Sequence, residues 1–407
     1  MIQARSLRLV AIATACLVFA GGCVGEFDEL DENEEANDTK ESEVDERFAD
    51  LPDRPWNSLE DGPFEVGYRY DSFEYTPLGE GEEARPIDLS IWYPTFEDDG
   101  DHARYSGLIQ QEGIWEDAAP ALDGPAPVML FSHGNSGMST QNYFSSEHLA
   151  SHGWIVVAPE HTGNTWMGSS DHSINMSKGF YRPQDMSASL DYFLDLPDDD
   201  PLADSASDDI AISGHSFGGF TSLANTGASF AVDELQEECE SGNNQEDYCD
   251  LLTDENEEIF RDGFLDERIK VSLPMTPGGA DVFRQGLADV AVPTLVWTAA
   301  EDATLPNVVE GDPIWEGLSG DDHVRIDMLE AGHFTYSNMC DLVGTAIPQA
   351  ADDGCSDEFI VAKDVHPLIN AYTLEFLRLH LFEDEDAADW FSPDHEPLHE
   401  NFIFSFK

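Results

Sequence analysis

The stretch from Asp208 to Ala224 constrains this chain more than any other part of it. Asp208-Asp209-Ile210-Ala211-Ile212-Ser213 reads as a buried strand, and Phe220-Thr221-Ser222-Leu223-Ala224 as a helix. Between them stands Gly214-His215-Ser216-Phe217-Gly218-Gly219. A GxSxG turn wedged between strand and helix holds its serine at a strained apex. The flanking glycines remove side chains that would strike the adjoining strand and helix. An α/β architecture with a nucleophilic serine at the end of a central strand follows.

A serine hydroxyl is a weak nucleophile until a base takes its proton, so a histidine oriented by a carboxylate is required downstream. The strand Pro293-Thr294-Leu295-Val296-Trp297-Thr298 runs into Ala299-Ala300-Glu301-Asp302, placing Asp302 at a strand's C-terminal end. Met328-Leu329-Glu330-Ala331-Gly332-His333 puts His333 in the loop after the next strand. The order Ser, acid, His is the one this turn requires. Glu301 is the rival acid. His215 is expected to pack inside the turn and His323 to lie on the surface. The oxyanion of an acyl transfer needs two donors. One is the backbone N–H of Phe217. The other is that of Asn135, in the loop Ser132-His133-Gly134-Asn135-Ser136-Gly137.

Strands are expected at 87–93, 128–132, 154–159, 210–213, 269–273, 294–298 and 324–329. Several are continuous apolar runs of the kind buried parallel strands need. Helices are expected around 140–151, 183–194, 217–228 and 368–381. The acidic segment 229–267 breaks the alternation and carries Cys239 and Cys249. It is a candidate cap over the active site, or else a surface excursion. Residues 56–407 read as one catalytic domain.

The N-terminus has Arg5 and Arg8 ahead of an apolar run from Leu9 to Ala20, closing on Ala20-Gly21-Gly22-Cys23. A membrane span needs about 20 apolar residues, so this layout reads as a signal peptide over 1–22. Cys23 is then the lipidated first residue of an exported envelope protein, with plain secretion as the alternative. Residues 24–50 carry 13 acidic and 2 basic residues, a composition that favours a disordered stalk (23–55). The whole chain has a formal net charge of −66, and only 5 of its 18 basic residues are lysines. Nucleic acid is excluded as a partner on that ground, and the membrane is reached only through the anchor. Cys16 leaves with the signal and Cys23 is lipidated, so four cysteines remain. Proximity pairs Cys239 with Cys249 and Cys340 with Cys355. Zinc-type spacing is absent, and neither metal nor cofactor is called for.

Pro127-Val128-Met129-Leu130-Phe131-Ser132-His133-Gly134, Leu149-Ala150-Ser151-His152-Gly153-Trp154 and Gly214-His215-Ser216-Phe217-Gly218-Gly219 together resemble the platelet-activating-factor acetylhydrolase family. Pro86 to Pro94, His161-Thr162-Gly163-Asn164-Thr165 and Arg182-Pro183-Gln184-Asp185 look more like the bacterial predicted dienelactone hydrolases. The resemblance spans roughly 63–381. It implies an α/β-hydrolase fold, a Ser216 nucleophile, oxyanion positions at Asn135 and Phe217, and a small-molecule or lipid ester as substrate. Two departures stand out. Animal acetylhydrolases take their acid after the strand that follows the nucleophile's helix, where this chain has Pro274-Met275-Thr276. Asp302 sits instead at the later position of cutinase-like polyester hydrolases. True dienelactone hydrolases carry cysteine where this chain has Ser216.

Overall fold

The computed structural model describes residues 46–48, 54, 56–79, 83–167, 176–241, 249 and 251–407. These belong to one compact unit, Val44–Lys407. The signal peptide, Cys23 and almost all of the acidic stalk lie outside the described residues. No described helix is long and apolar enough to cross a membrane.

Among the described residues eleven strands form one sheet: β1 (Glu65–Tyr75), β2 (Arg85–Thr95), β3 (His102–Tyr105), β4 (Ile109–Glu116), β5 (Ala126–Ser132), β6 (Ile155–Glu160), β7 (Ala206–His215), β8 (Ile269–Met275), β9 (Thr294–Ala299), β10 (His323–Met328) and β11 (Phe402–Phe406). Their spatial order is β11-β10-β9-β8-β7-β5-β6-β2-β1-β4-β3. The run from β10 to β6 is parallel throughout. β2 pairs antiparallel with β6 and with β1, and β11 pairs antiparallel with β10.

All seven residues of β5 and all six of β9 are buried, because a parallel strand in mid-sheet has helices on both faces. Period-2 alternation divides their side chains between two cores. Met129 and Phe131 join Leu149, Trp297, Tyr372 and Phe376 on one face. Val128 and Leu130 join Met186, Leu190 and Phe193 on the other. The first face is covered by α1 (Tyr143–Ser151) and the C-terminal helix Ala362–Leu381; the second by α2 (Met176–Leu194) and α3 (Phe217–Asn225).

All seven expected strands form. β1, β3, β4 and β11 were not anticipated, since they lie at or near the sheet edges and lack the buried apolar run. Two helices begin earlier than expected, leaving Pro183 and Pro367 inside them. A proline reads as a helix start because it lacks an N–H.

The insertion contributes α4 (Val232–Ser241) and α5 (Asp254–Asp262), and Cys239 is bonded to Cys249. Its Phe230, Phe260 and Phe264 pack with Phe180 of α2 and Phe220 of α3. The insertion thus leans on α3 through an aromatic cluster.

Candidate active site

β7 delivers Ser216 to α3 through a backbone at φ 60°, ψ −118°, a strained geometry for a residue with a Cβ. The turn is held by the Ser216 N–H donating to the Met275 carbonyl of β8 at 2.9 Å. Only glycine fits on either side. A Cβ on Gly214 would sit 2.3 Å from the Gly218 carbonyl oxygen, and one on Gly218 would sit 1.8 Å from that of Ser132. One of these demands is local to the turn, and the other comes from the neighbouring strand β5.

Asp302 follows β9 and His333 follows β10, so the parallel register of these strands brings the two loops side by side. Asp302 is 6% and His333 2% exposed, and His333 Nδ1 lies 2.7 Å from Asp302 Oδ2. Asp302 Oδ1 accepts the Leu305 N–H at 2.6 Å. With Nδ1–H donated to the carboxylate, His333 Nε2 is the basic nitrogen. Glu301, the rival acid, is exposed.

His215 is buried, its ring 4.7 Å from that of His333. Its Nδ1 accepts from Gln141 Nε2 at 2.6 Å and its Nε2–H donates to the His333 carbonyl at 2.9 Å. Burial, reinforced by the His333 ring, pulls His215 down to about 3, and burial also pulls His161 down to about 3. Both are neutral hydrogen-bonding pieces at pH 7.

Sequence reasoning missed Asp353. Its buried carboxylate accepts the His333 N–H at 2.8 Å and the Ala303 N–H at 3.0 Å on Oδ1. Oδ2 takes the Thr304 N–H at 2.8 Å and the Thr304 hydroxyl at 2.7 Å. One side chain therefore ties the acid's loop to the histidine's loop. Gly332 is required there, because a Cβ would come 2.5 Å from Asp353 backbone. Cys355, two residues on, is bonded to Cys340. Nothing in the local pattern Ala351-Asp352-Asp353-Gly354-Cys355 marks this aspartate among 84 acidic residues.

The loop after β5 passes directly over the serine. A Cβ on Gly134 would be 3.3 Å from Ser216 Cβ. The Gly134 N–H donates to Gln141 Oε1 at 3.0 Å, and Asn135 Oδ1 accepts from Asn164 Nδ2 at 2.8 Å. Behind this loop lies Arg182, fully buried. It too went unassigned, although the Arg-Pro-Gln-Asp block containing it stood out.

His323 departs from expectation: it is 1% exposed, because the unforeseen β11 pairs with β10 and Lys407 N–H donates to the His323 carbonyl. The aspartate-rich Asp198-Asp199-Asp200 turn sends Asp200 to Arg69 at 2.8 Å. Among the described residues no group of three or more His, Cys, Asp or Glu is arranged to hold a metal ion.

Residues 117–234 match the family model described as chlorophyllase. No curated protein matches the chain. Among solved structures, a ferulic acid esterase from Streptomyces cinnamoneus is similar, with a TM-score of 0.59 and 18% identity. The match covers 84% of this chain and 96% of that one. With the parallel sheet and its flanking helices, that likeness establishes an α/β-hydrolase fold.

Proposed function

We propose that the protein is a serine carboxylic-ester hydrolase that works through an acyl-enzyme. The observation that carries this reading is the buried His333–Asp302 pair at 2.7 Å, whose histidine ring lies 4.7 Å from that of His215, the residue before the serine at the strained elbow. The chlorophyllase match and the ferulic acid esterase neighbour support an ester substrate.

In this reading the Ser216 hydroxyl attacks the ester carbonyl while His333 Nε2 accepts its proton. The Asp302 carboxylate holds the ring in the correct tautomer and stabilises the imidazolium. The tetrahedral oxyanion is met by the N–H groups of Phe217 and Asn135. Its collapse expels the alcohol, which takes the proton from His333, and water then repeats the cycle in reverse on the acyl-enzyme. Short-chain or phospholipid-type esters are the first substrate class, on the resemblance of the loop after β5 and the elbow to the acetylhydrolases. A polyester substrate is the second reading, favoured by one observation: the acid stands after β9, whereas β8 ends at Met275 and is followed by Thr276, with no carboxylate.

The test is p-nitrophenyl ester hydrolysis across acyl chain lengths, with Ser216→Ala as control. Activity that survives the substitution would refute the serine mechanism. A peak at acetate or butyrate supports the first class, and turnover of a solid aliphatic polyester supports the second. We further infer that Cys23 carries a lipid anchor. Cys23→Ala should then move the protein from the membrane fraction to the soluble fraction, and an unchanged distribution would refute the anchor.

A further inference from the structure

Arg182 is a cation with no solvent contact in a chain of net charge −66, and the mechanism above gives it no task. Its Nη2 donates to the Gly134 carbonyl at 2.9 Å and its Nη1 to the His133 carbonyl at 2.7 Å. Nη1 also reaches Ser132 Oγ at 3.1 Å, and Nε donates to Asn164 Oδ1 at 3.0 Å. The guanidinium carbon lies 4.7 Å from the centre of the Phe217 ring. One side chain therefore grips both segments expected to supply the oxyanion donors, the 132–135 loop and Phe217.

The Gly134 carbonyl belongs to the same peptide as the Asn135 N–H. In a trans peptide these two groups point in opposite directions, so fixing the carbonyl fixes the aim of the N–H. The carbonyl also accepts His133 Nδ1–H at 2.7 Å, and the His161 N–H on His133 Nε2 selects that tautomer. A carbonyl hydrogen-bonded to a cation polarises its amide, which strengthens the N–H as a donor at low dielectric. The remaining contacts hold Arg182 in place: Ser132 Oγ lies 2.9 Å from His161 Nε2, and His161 Nδ1 donates to Asp185 at 2.9 Å. Asp185 is in turn paired with Arg85.

We propose that Arg182 is a positioning residue for ester hydrolysis, aiming and polarising the Gly134–Asn135 peptide so that its N–H meets the developing oxyanion. This rests on the serine hydrolase reading. The fork of the guanidinium is essential to it, since lysine cannot serve the His133 and Gly134 carbonyls and Asn164 together.

The experiment compares wild type, Arg182→Lys and Arg182→Met on p-nitrophenyl butyrate. Active sites are counted by fluorophosphonate labelling run to completion, and folding is checked by thermal unfolding. Loss of one oxyanion donor costs about 10²–10³ in turnover, so Arg182→Met should lower kcat per labelled site by about that factor. Arg182→Lys should lower it by at least about tenfold, and KM should move less than about threefold in both. If Arg182→Met does not fold, Arg182→Lys decides by the same criterion. Folded variants with kcat per site within threefold of wild type, or with losses confined to KM, would overturn the proposal. A Ser216→Ala protein as active as wild type would sink the hydrolase reading instead, and the two failures are told apart by that control.

Discussion

Substituting Asp353 by alanine withdraws the acceptor of four hydrogen bonds at once, from the N–H groups of His333, Ala303 and Thr304 and from the Thr304 hydroxyl. The site is 3% exposed, so water reaches the orphaned donors poorly. Each buried donor left unpaired costs about 1–3 kcal/mol. Because the donors share one site and can relax together, the sum is not additive, and a loss of about 3–5 kcal/mol in unfolding free energy is expected. Asp353→Asn keeps one acceptor oxygen but turns an NH2 toward donors, and should lose about half as much. The consequence for catalysis is geometric. The clamp fixes the backbone of His333 against the loop of Asp302, and a displacement near 1 Å costs about 10²-fold in rate. Both variants should therefore show kcat reduced by about 10- to 100-fold with KM nearly unchanged, measured per labelled active site alongside urea unfolding. A folded Asp353→Ala protein with a wild-type urea midpoint and kcat within threefold would refute this reasoning.

Breaking Cys340–Cys355 with Cys355→Ser opens a loop whose closure is worth about 3 kcal/mol and loosens the Asp353 clamp; activity should fall with stability, whereas Cys239→Ser, in the insertion, should cost stability with activity retained, as parallel melts and ester assays would reveal. Gly218→Ala drives a Cβ to within 1.8 Å of the Ser132 carbonyl, so circular dichroism and activity should show either an unfolded protein or an inactive one. Burial raises the Glu147 carboxyl to about 8. The folded state therefore keeps a proton that the unfolded chain releases near 4.5, and stability declines as pH rises from about 4.5 to 8. Residual solvent contact trims the effect to about 2–3 kcal/mol, and Glu147→Gln should flatten that part of the urea-midpoint profile. Self-repulsion of the acidic surface is screened as the Debye length falls from about 10 Å at 0.1 M to about 3 Å at 1 M salt, so the melting temperature should climb over that range; a flat salt profile would contradict it.

Legibility from sequence followed the range of the interaction. The elbow was readable because the GxSxG pattern stands between a strand and a helix; Gly214 answers a clash with Gly218, while Gly218 answers one with the Ser132 carbonyl of the neighbouring strand. Asp302 and His333, which the structure pairs, each follow a buried apolar strand, and the parallel register brings their loops together. The two disulfides followed from spacing. β1 and β11 were not readable, since each earns its place by pairing with a strand already formed, β2 and β10 respectively. His323 was misjudged for the same reason: flanking aspartates suggested solvent, and a distant C-terminal strand closed over it.

Asp353 and Arg182 escaped because their identities are generic and their roles depend on partners far along the chain, His333 and Ala303 for one, Gly134 and Asn164 for the other. The basic residues repay a separate look, since this chain has so few of them. Arg69, Arg85, Arg325 and Arg378 are buried or half-buried against Asp200, Asp185, Asp312 and Asp384. A chain that leaves its surface so acidic spends these arginines as internal clamps, where a planar fork can satisfy several acceptors together. Arg182 is more completely buried than those four and differs from them in its partners. Its partners are carbonyl, hydroxyl and side-chain amide groups, so its charge is not cancelled on contact by a carboxylate. A buried charge left in that condition is costly. Its position behind the peptide over Ser216 is where a positive potential would offset that cost in turnover, which is why the cation and not merely its hydrogen bonds is expected to matter.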